Sequence, residues 1–328
     1  MRNGPLIIAM AGGAALWLLS AAGWADDRSP LLAQASLLQQ QAEELYQRRQ
    51  YEQGVALARH ALALREQVHG MTHQDVAESL ALLAQGLNEM GHEKEVESLY
   101  RRELHIYEET GGPNHPRMAD ILNRLAGWRF RRNQGAEAEA YAWSALAAAE
   151  RTEQAGSPQA AIAFTHLGNL RRERRRYVES EMFYRQALAI REQTFGADHP
   201  AVSDSLIALA DLYRDWRRYQ EAEFFYRRAL DIRLKALGAD HPEVGHALTR
   251  LAVLYKVQER PAQAEVYYRR ALTLWEKALG PDDPLVGVTL ENYARLLRRA
   301  GREEEAEKME TRAARIRGGP QTLQPTQK

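Results

Sequence analysis

Apolar residues between Pro200 and Trp216 fall at Val202, Leu206, Leu209, Ala210 and Tyr213. Spacings of three and four put them on one face of a helix. A second run starts near Tyr219 and places Ala222, Tyr226, Ala229 and Leu230 on one face. Two amphipathic helices with a short turn between them are therefore predicted. The stretch "GADHP" precedes the first helix at 196–200 and recurs at 238–242, a shift of 42 residues.

That shift holds along most of the chain without insertion or deletion. The glycine column reads Gly70, Gly112, Gln154, Gly196, Gly238 and Gly280. The histidine column reads His73, His115, Ser157, His199, His241 and Asp283, and the next is mostly proline. Ser and Asp are favoured helix N-caps and proline suits the first helical position, so this column predicts caps. A metal-ligand reading is disfavoured, because equivalent residues are separated by two helix layers of roughly 8–10 Å each. Two imidazoles on one zinc must approach it to about 2 Å. The interhelical turn carries Gly91, Asn133 and Gly301 in three repeats, which suits a left-handed helix end, but Arg175, Arg217 and Glu259 in three others. Small residues recur at 138, 180, 222, 264 and 306 and again seven positions later. Between them stand Tyr100, Tyr184, Tyr226 and Tyr268. At this spacing the tyrosines are expected in the core between hairpins; a stacking platform for sugars is the alternative.

These columns, and "YQEAEFFYRRALDIRLKALGADHPEV" in particular, resemble the tetratricopeptide repeat in its 42-residue, kinesin light chain-like form. The resemblance implies an all-α fold, a right-handed α-solenoid of about seven helix hairpins spanning 34–317. It departs at 118–159, where Ala142 replaces the ring and no glycine follows; looser packing and a shorter loop are expected there. Glu310 replaces the ring in the last helix, whose charged surface suits a terminal cap.

In this family the first helix of each hairpin lines the concave side. Numbering Leu206 as 4, positions 4, 7, 8 and 11 face the core, and positions 2, 5, 9 and 12 form the adjacent face. The residues expected to line a partner-binding groove are Asn123, Thr165, Asn169, Arg172, Asp211, Arg214, Thr249, Lys256, Arg295 and Arg298. Arg172, Arg214, Lys256 and Arg298 form a cationic column at position 12, suited to carboxylates, while amides pair with extended backbone. Cations in a last helical turn also simply complement the helix dipole. The family's peptide-binding asparagines match here only at Asn123, in "LNRLA".

Composition narrows the function. Lys plus Arg and Asp plus Glu are both 44, which gives no pull toward nucleic acid despite "RRERRR" at 171–176. There is no cysteine, hence no disulfide or thiolate chemistry. No Gly-rich phosphate loop, nucleophile elbow or metalloprotease motif is present, so no catalytic residue, metal or cofactor is expected. Residues 1–25 have the layout of a secretory signal peptide, with Arg2, an apolar run and small residues before Asp26. Cleavage after Ala25 and a periplasmic or secreted protein are expected, an uncleaved anchoring helix being the alternative. Residues 26–33 form a lead and 318–328 a tail expected to be disordered. The expected function is a non-enzymatic scaffold or adaptor of the cell envelope that binds a protein or peptide, an acidic one fitting the cations. A carbohydrate-binding envelope protein and an accessory subunit that positions an enzyme are the alternatives.

Overall fold

In a computed structural model, the described residues are 13–152 and 156–318, with side chains from 29 onward. They form fourteen α-helices in chain order: α1 Gly13–Gln47, α2 Tyr51–His69, α3 Gln74–Glu89, α4 Glu93–Gly111, α5 Met118–Arg131, α6 Gly135–Arg151, α7 Pro158–Glu173, α8 Tyr177–Phe195, α9 Pro200–Asp215, α10 Tyr219–Leu237, α11 Pro242–Val257, α12 Pro261–Leu279, α13 Pro284–Arg299 and α14 Glu303–Gly318. A single 3₁₀ turn, Gly112–Asn114, is added, and no strand occurs among the described residues. The helices pair in sequence as the hairpins of an α-solenoid. They fall into two compact units, 1–125 and 126–328, divided within α5.

Each hairpin turn closes the same way. The amide of the residue opening the second helix's cap reaches back five residues to a carbonyl, as Arg176 to Arg171 (2.8 Å), Arg218 to Tyr213 (2.8 Å) and Arg260 to Tyr255 (2.9 Å). This six-to-one bond satisfies a carbonyl left over at the helix end and requires a left-handed residue just before it. That residue has φ between 57° and 76° in all seven turns: Arg49, Gly91, Asn133, Arg175, Arg217, Glu259 and Gly301. The turn signal is thus partial in sequence but uniform in structure; packing of the two helices imposes the conformation on Arg and Glu as well.

The loop between hairpins is also uniform. Gly70, Gly112, Gly196, Gly238 and Gly280 adopt positive φ at the end of the second helix. His73, His115, His199 and His241 each accept, through Nδ1, the backbone N–H two residues on, at 3.1–3.2 Å. Asp283 Oδ1 does the same at 2.8 Å and Ser157 Oγ accepts from Ala160 at 3.4 Å. The column caps helices. Helix α6 ends at Arg151 and is two residues shorter than α8; the expected shorter loop falls on 153–155, which lie outside the described residues. Its cap residue Thr152 has φ −87°, unlike the positive-φ glycines that end α2, α4, α8, α10 and α12. Phe164 there is only half-buried, whereas its equivalents Leu206, Leu248 and Leu290 are buried.

Tyr184, Tyr226 and Tyr268 are fully buried, and Tyr100 nearly so. A second set of buried side chains was not anticipated. Arg65, Arg191 and Arg233 share one column on the second helices and are at most 9% exposed. Arg233 donates to Ser203 Oγ (2.8 Å) and the Glu243 carbonyl (2.8 Å) and pairs with Asp204 (2.7 Å). Arg65 donates to Ser79 Oγ at 2.8 Å and Arg191 to Ser205. Trp275 takes this column one repeat later, over Gly245, where a Cβ would lie 2.7 Å from the indole. Helix α1 begins at Gly13, 21 residues before the expected solenoid start at 34, and runs through Ala25. None of the described helices is long and apolar enough to cross a membrane. Residues 1–12 of the expected signal peptide and 319–328 of the expected tail lie outside the described residues.

Candidate functional face

Within unit 126–328, the first helices α7, α9, α11 and α13 lie in succession and their side chains reach from one to the next. Asp211 of α9 is the centre of one such set. Its buried carboxylate accepts from the Tyr226 hydroxyl and from Arg214 Nη1 (2.9 Å). Arg250 of α11 reaches it at 3.3 Å and Arg172 of α7 at 3.6 Å. Asp215 shares the load, 2.9 Å from Arg214 and 3.5 Å from Arg172. Burial and the Asp211 charge hold the Tyr226 hydroxyl proton well above the ordinary phenol range. Burial disfavours the charge on Arg214, yet Tyr226, Asp211 and Asp215 keep it above its usual value. Arg172 and Arg214 therefore arrive with carboxylate partners from their own chain.

One repeat earlier the same geometry is neutral: the Tyr184 hydroxyl donates to Asn169 Oδ1 at 2.6 Å. One repeat later it is incomplete. Val253 occupies the position of Asn169 and Asp211. The Tyr268 hydroxyl, in a fully buried residue, has no hydrogen-bond partner among the described residues. Lys256, the next member of the cationic column, finds only Asn292 Oδ1 at 3.4 Å. Its neighbours are cations: burial first, then Arg295 and Arg299, lower its pKa. Arg295 donates to the Glu291 carbonyl at 3.3 Å but reaches its carboxylate only at 4.0 Å, and that carboxylate also holds Arg317. Among the described residues neither Lys256 nor Arg299 has a carboxylate partner. A cavity of about 370 Å³ opens beside them, lined by Lys256, Glu259, Pro261, Leu296, Arg299 and Ala300.

The column ends at Arg298, which pairs with Glu303 (2.7 Å) and bidentately with Glu310 (2.8 and 2.7 Å). The glutamate that replaces the ring thus anchors the terminal helix. Thr165 and Thr249 spend their hydroxyls on carbonyls of their own helices, Ala161 at 2.8 Å and Gly245 at 2.9 Å. Asn123 is buried in unit 1–125. Of the residues expected to line a groove, Lys256 and Arg295 come together with cationic character to spare. Within unit 126–328, Asn169, Arg172, Asp211, Arg214 and Arg298 are engaged by side chains of the same chain, and Thr165 and Thr249 by carbonyls of their own helices. Sequence reasoning missed Arg250, Asn292 and Arg299. They lie at positions 6 and 13, outside the face chosen by periodicity; Arg250 reaches Asp211, Asn292 accepts from Lys256, and Arg299 lines the cavity beside Lys256.

The buried tyrosines remove the aromatic row on which the carbohydrate reading depended. One group could in principle ligate a metal: ligand atoms of His69, His73 and Asp75 lie within 4.8 Å of one another. The two imidazoles stack at 4.0 Å with 10° between planes, and His73 Nδ1 is already the acceptor of the Asp75 amide. Stacked rings aim their lone pairs side by side rather than at a common point, so the arrangement is that of a cap and its hydrogen bonds.

The protein is similar to known helical repeat structures. Aspartyl phosphate phosphatase F from Bacillus subtilis matches with a TM-score of 0.67 at 13% identity, covering 92% of this chain and 75% of that one. A Rap protein complexed with competence and sporulation factor matches with 0.65 at 17%, covering 88% and 75%. A kinesin light chain-like repeat protein from Podosopora anserina matches with 0.53 at 21%, covering 63% and 99%. No curated protein matches the chain. These likenesses are of fold. Models of the tetratricopeptide repeat match residues 159–235 and 243–318, and 36–75 and 118–159. The chain belongs to the tetratricopeptide repeat family.

Proposed function

We propose that this protein is a non-enzymatic scaffold that binds an acidic protein segment on the first-helix face of α11 and α13. Tetratricopeptide repeats are in general protein-interaction scaffolds, and the similar Rap protein was solved in complex with another factor. The observation that carries the reading is the interruption at Val253. Asp211 neutralises three arginines one repeat earlier. At the next repeat, Lys256, Arg295 and Arg299 and the Tyr268 hydroxyl lack that acid. A partner's carboxylate would take the place Asp211 fills, with charge-assisted hydrogen bonds strengthened by partial burial. The leader-like composition of residues 1–25 supports action in the periplasm or outside the cell.

The test is a peptide array probed with the full protein, spanning acidic, neutral and basic ten-residue sequences. Selective binding to acidic peptides, weakened by salt, is expected. Equal binding to neutral peptides would contradict the reading.

A further inference from the structure

The first unit holds a second unusual site. In the column that is alanine at 61, 145, 187, 229, 271 and 313, residue 103 is glutamate. Glu103 is fully buried. One carboxylate oxygen accepts from Arg124 Nη2, while the other, Oε2, is buried with no hydrogen-bond partner. Beside it opens a cavity of about 350 Å³, lined also by Gln39, Glu78, Ala81 and Tyr107. Gln39 donates its amide N–H to Glu43 at 3.1 Å and leaves Oε1 buried and unpartnered in the same cavity wall. Glu78 stands at the rim, its only ion pair among the described residues a 3.9 Å contact to Arg117.

A carboxylate taken out of water costs several kcal/mol unless its lone pairs are met. Arg124 meets one side only. The two orphan atoms are both acceptors, so the missing group is a donor. Around the cavity stand three carboxylates, Glu78, Glu103 and Asp120, and two guanidinium groups, Arg117 and Arg124. The balance of one negative charge suits a monocation. A primary ammonium offers three donors to the three acceptors Glu103 Oε2, Gln39 Oε1 and the Glu78 carboxylate. The two arginines oppose a divalent metal ion. The volume is that of a small ligand site rather than of a single water.

We infer that this cavity binds a primary alkylammonium group, with Glu103 as its buried counter-ion and Gln39 and Glu78 as the remaining acceptors. The ammonium comes from a lysine side chain of a peptide or from a free diamine. This inference does not rest on the acidic-segment reading: it concerns another unit and the opposite charge.

The experiment is an amide NMR titration of the full chain at pH 8 with two probes, Nα-acetyl-lysine N-methylamide and 1,4-diaminobutane, against the Nε-acetylated lysine derivative as neutral control. Saturable shifts confined to residues of α1, α3, α4 and the start of α5, which together line the cavity, are expected with the amines and not with the control. Tighter binding of the first probe identifies a peptide lysine as the source, and of the second a free diamine. Glu103→Gln should weaken binding at least tenfold. Ala81→Leu, which fills the cavity from the rim, should abolish it and leave the spectrum folded. Lowering the pH should also weaken binding, because burial, only partly offset by Arg124 and Arg117 and reinforced by Asp120, pushes the Glu103 carboxyl up to about 7. Tyr107 and His115 also face this region; burial holds the phenol up near 12, and burial and Arg117 hold the imidazole below its usual value, so protonation of His115 is displaced to lower pH than that of an ordinary histidine. Absence of saturable shifts with both amines, or equal affinity in Glu103→Gln, would overturn the inference and leave Glu103 as an internal partner of Arg124.

Discussion

Replacing Val253 by aspartate would rebuild, one repeat on, the arrangement that Asp211 makes in its own repeat. The Tyr268 hydroxyl is a buried donor without an acceptor, a defect that costs about 1–3 kcal/mol. An aspartate at 253 supplies the acceptor and a counter-charge for Lys256 and Arg295. Against this stands the desolvation of the new carboxylate, several kcal/mol for an unpaired group. In the repeat of Asp211 the surrounding cations offset that cost; here Lys256 stands where Arg214 does and Arg295 adds a second cation nearby, while Asn292 replaces Arg250. The net expectation is stabilisation of about 1 kcal/mol for Val253→Asp, read as an increase in the urea midpoint by circular dichroism. Val253→Asn supplies the acceptor without the charge, as Asn169 does for Tyr184, and should stabilise by less. The aspartate should also lower affinity for acidic peptides, since it occupies their place. Destabilisation by 2 kcal/mol or more in Val253→Asp, with Val253→Asn neutral, would refute the claim that the cluster lacks an acid.

Tyr226→Ala should cost roughly 3–5 kcal/mol by urea unfolding, since it empties a fully buried site and leaves Asp211 without its hydroxyl donor. Arg217→Gly should raise stability by about 1 kcal/mol, because φ of 61° strains a side chain and not glycine. Glu103 should make the first unit less stable at high pH. Its folded carboxyl titrates near 7 against the ordinary 4.5, so stability is full below 4.5 and declines as pH rises through 7. The interval corresponds to about 3 kcal/mol; unfolding midpoints at pH 5 and 8 should differ in the wild type and converge in Glu103→Gln.

The parts of this molecule legible in its sequence are those that recur. The 42-residue register located the caps at His73, His115, Ser157, His199, His241 and Asp283, the glycine helix ends and the buried tyrosines, because each column carries one physical demand met by a few residue types. Less legible were demands met by unlike residues. Arg175, Arg217 and Glu259 take the left-handed turn although nothing in their side chains favours it; the helix pair does. Nothing in the sequence marks Arg65, Arg191 and Arg233 for burial; the serines at 79, 203 and 205 that help hold them lie 14 to 30 residues away. The cationic column was visible, but not that Asp211 collects arginines from α7, α9 and α11, since periodicity fixes the face and not the reach of a long side chain. Glu103 was visible as an exception in a small-residue column; its missing second partner is a property of the packed unit alone.

The most direct test of the binding claim is the affinity of a partner captured from the native host for Lys256→Ala and Arg299→Ala, compared with Lys235→Ala, an exposed cation of α10. Each lost charge-assisted contact should cost about 1.5–3 kcal/mol, more than tenfold in affinity, and the loss should shrink as salt rises. Lys235→Ala should bind as the wild type does. Equal affinities across all three variants would contradict the account and place the partner on another surface.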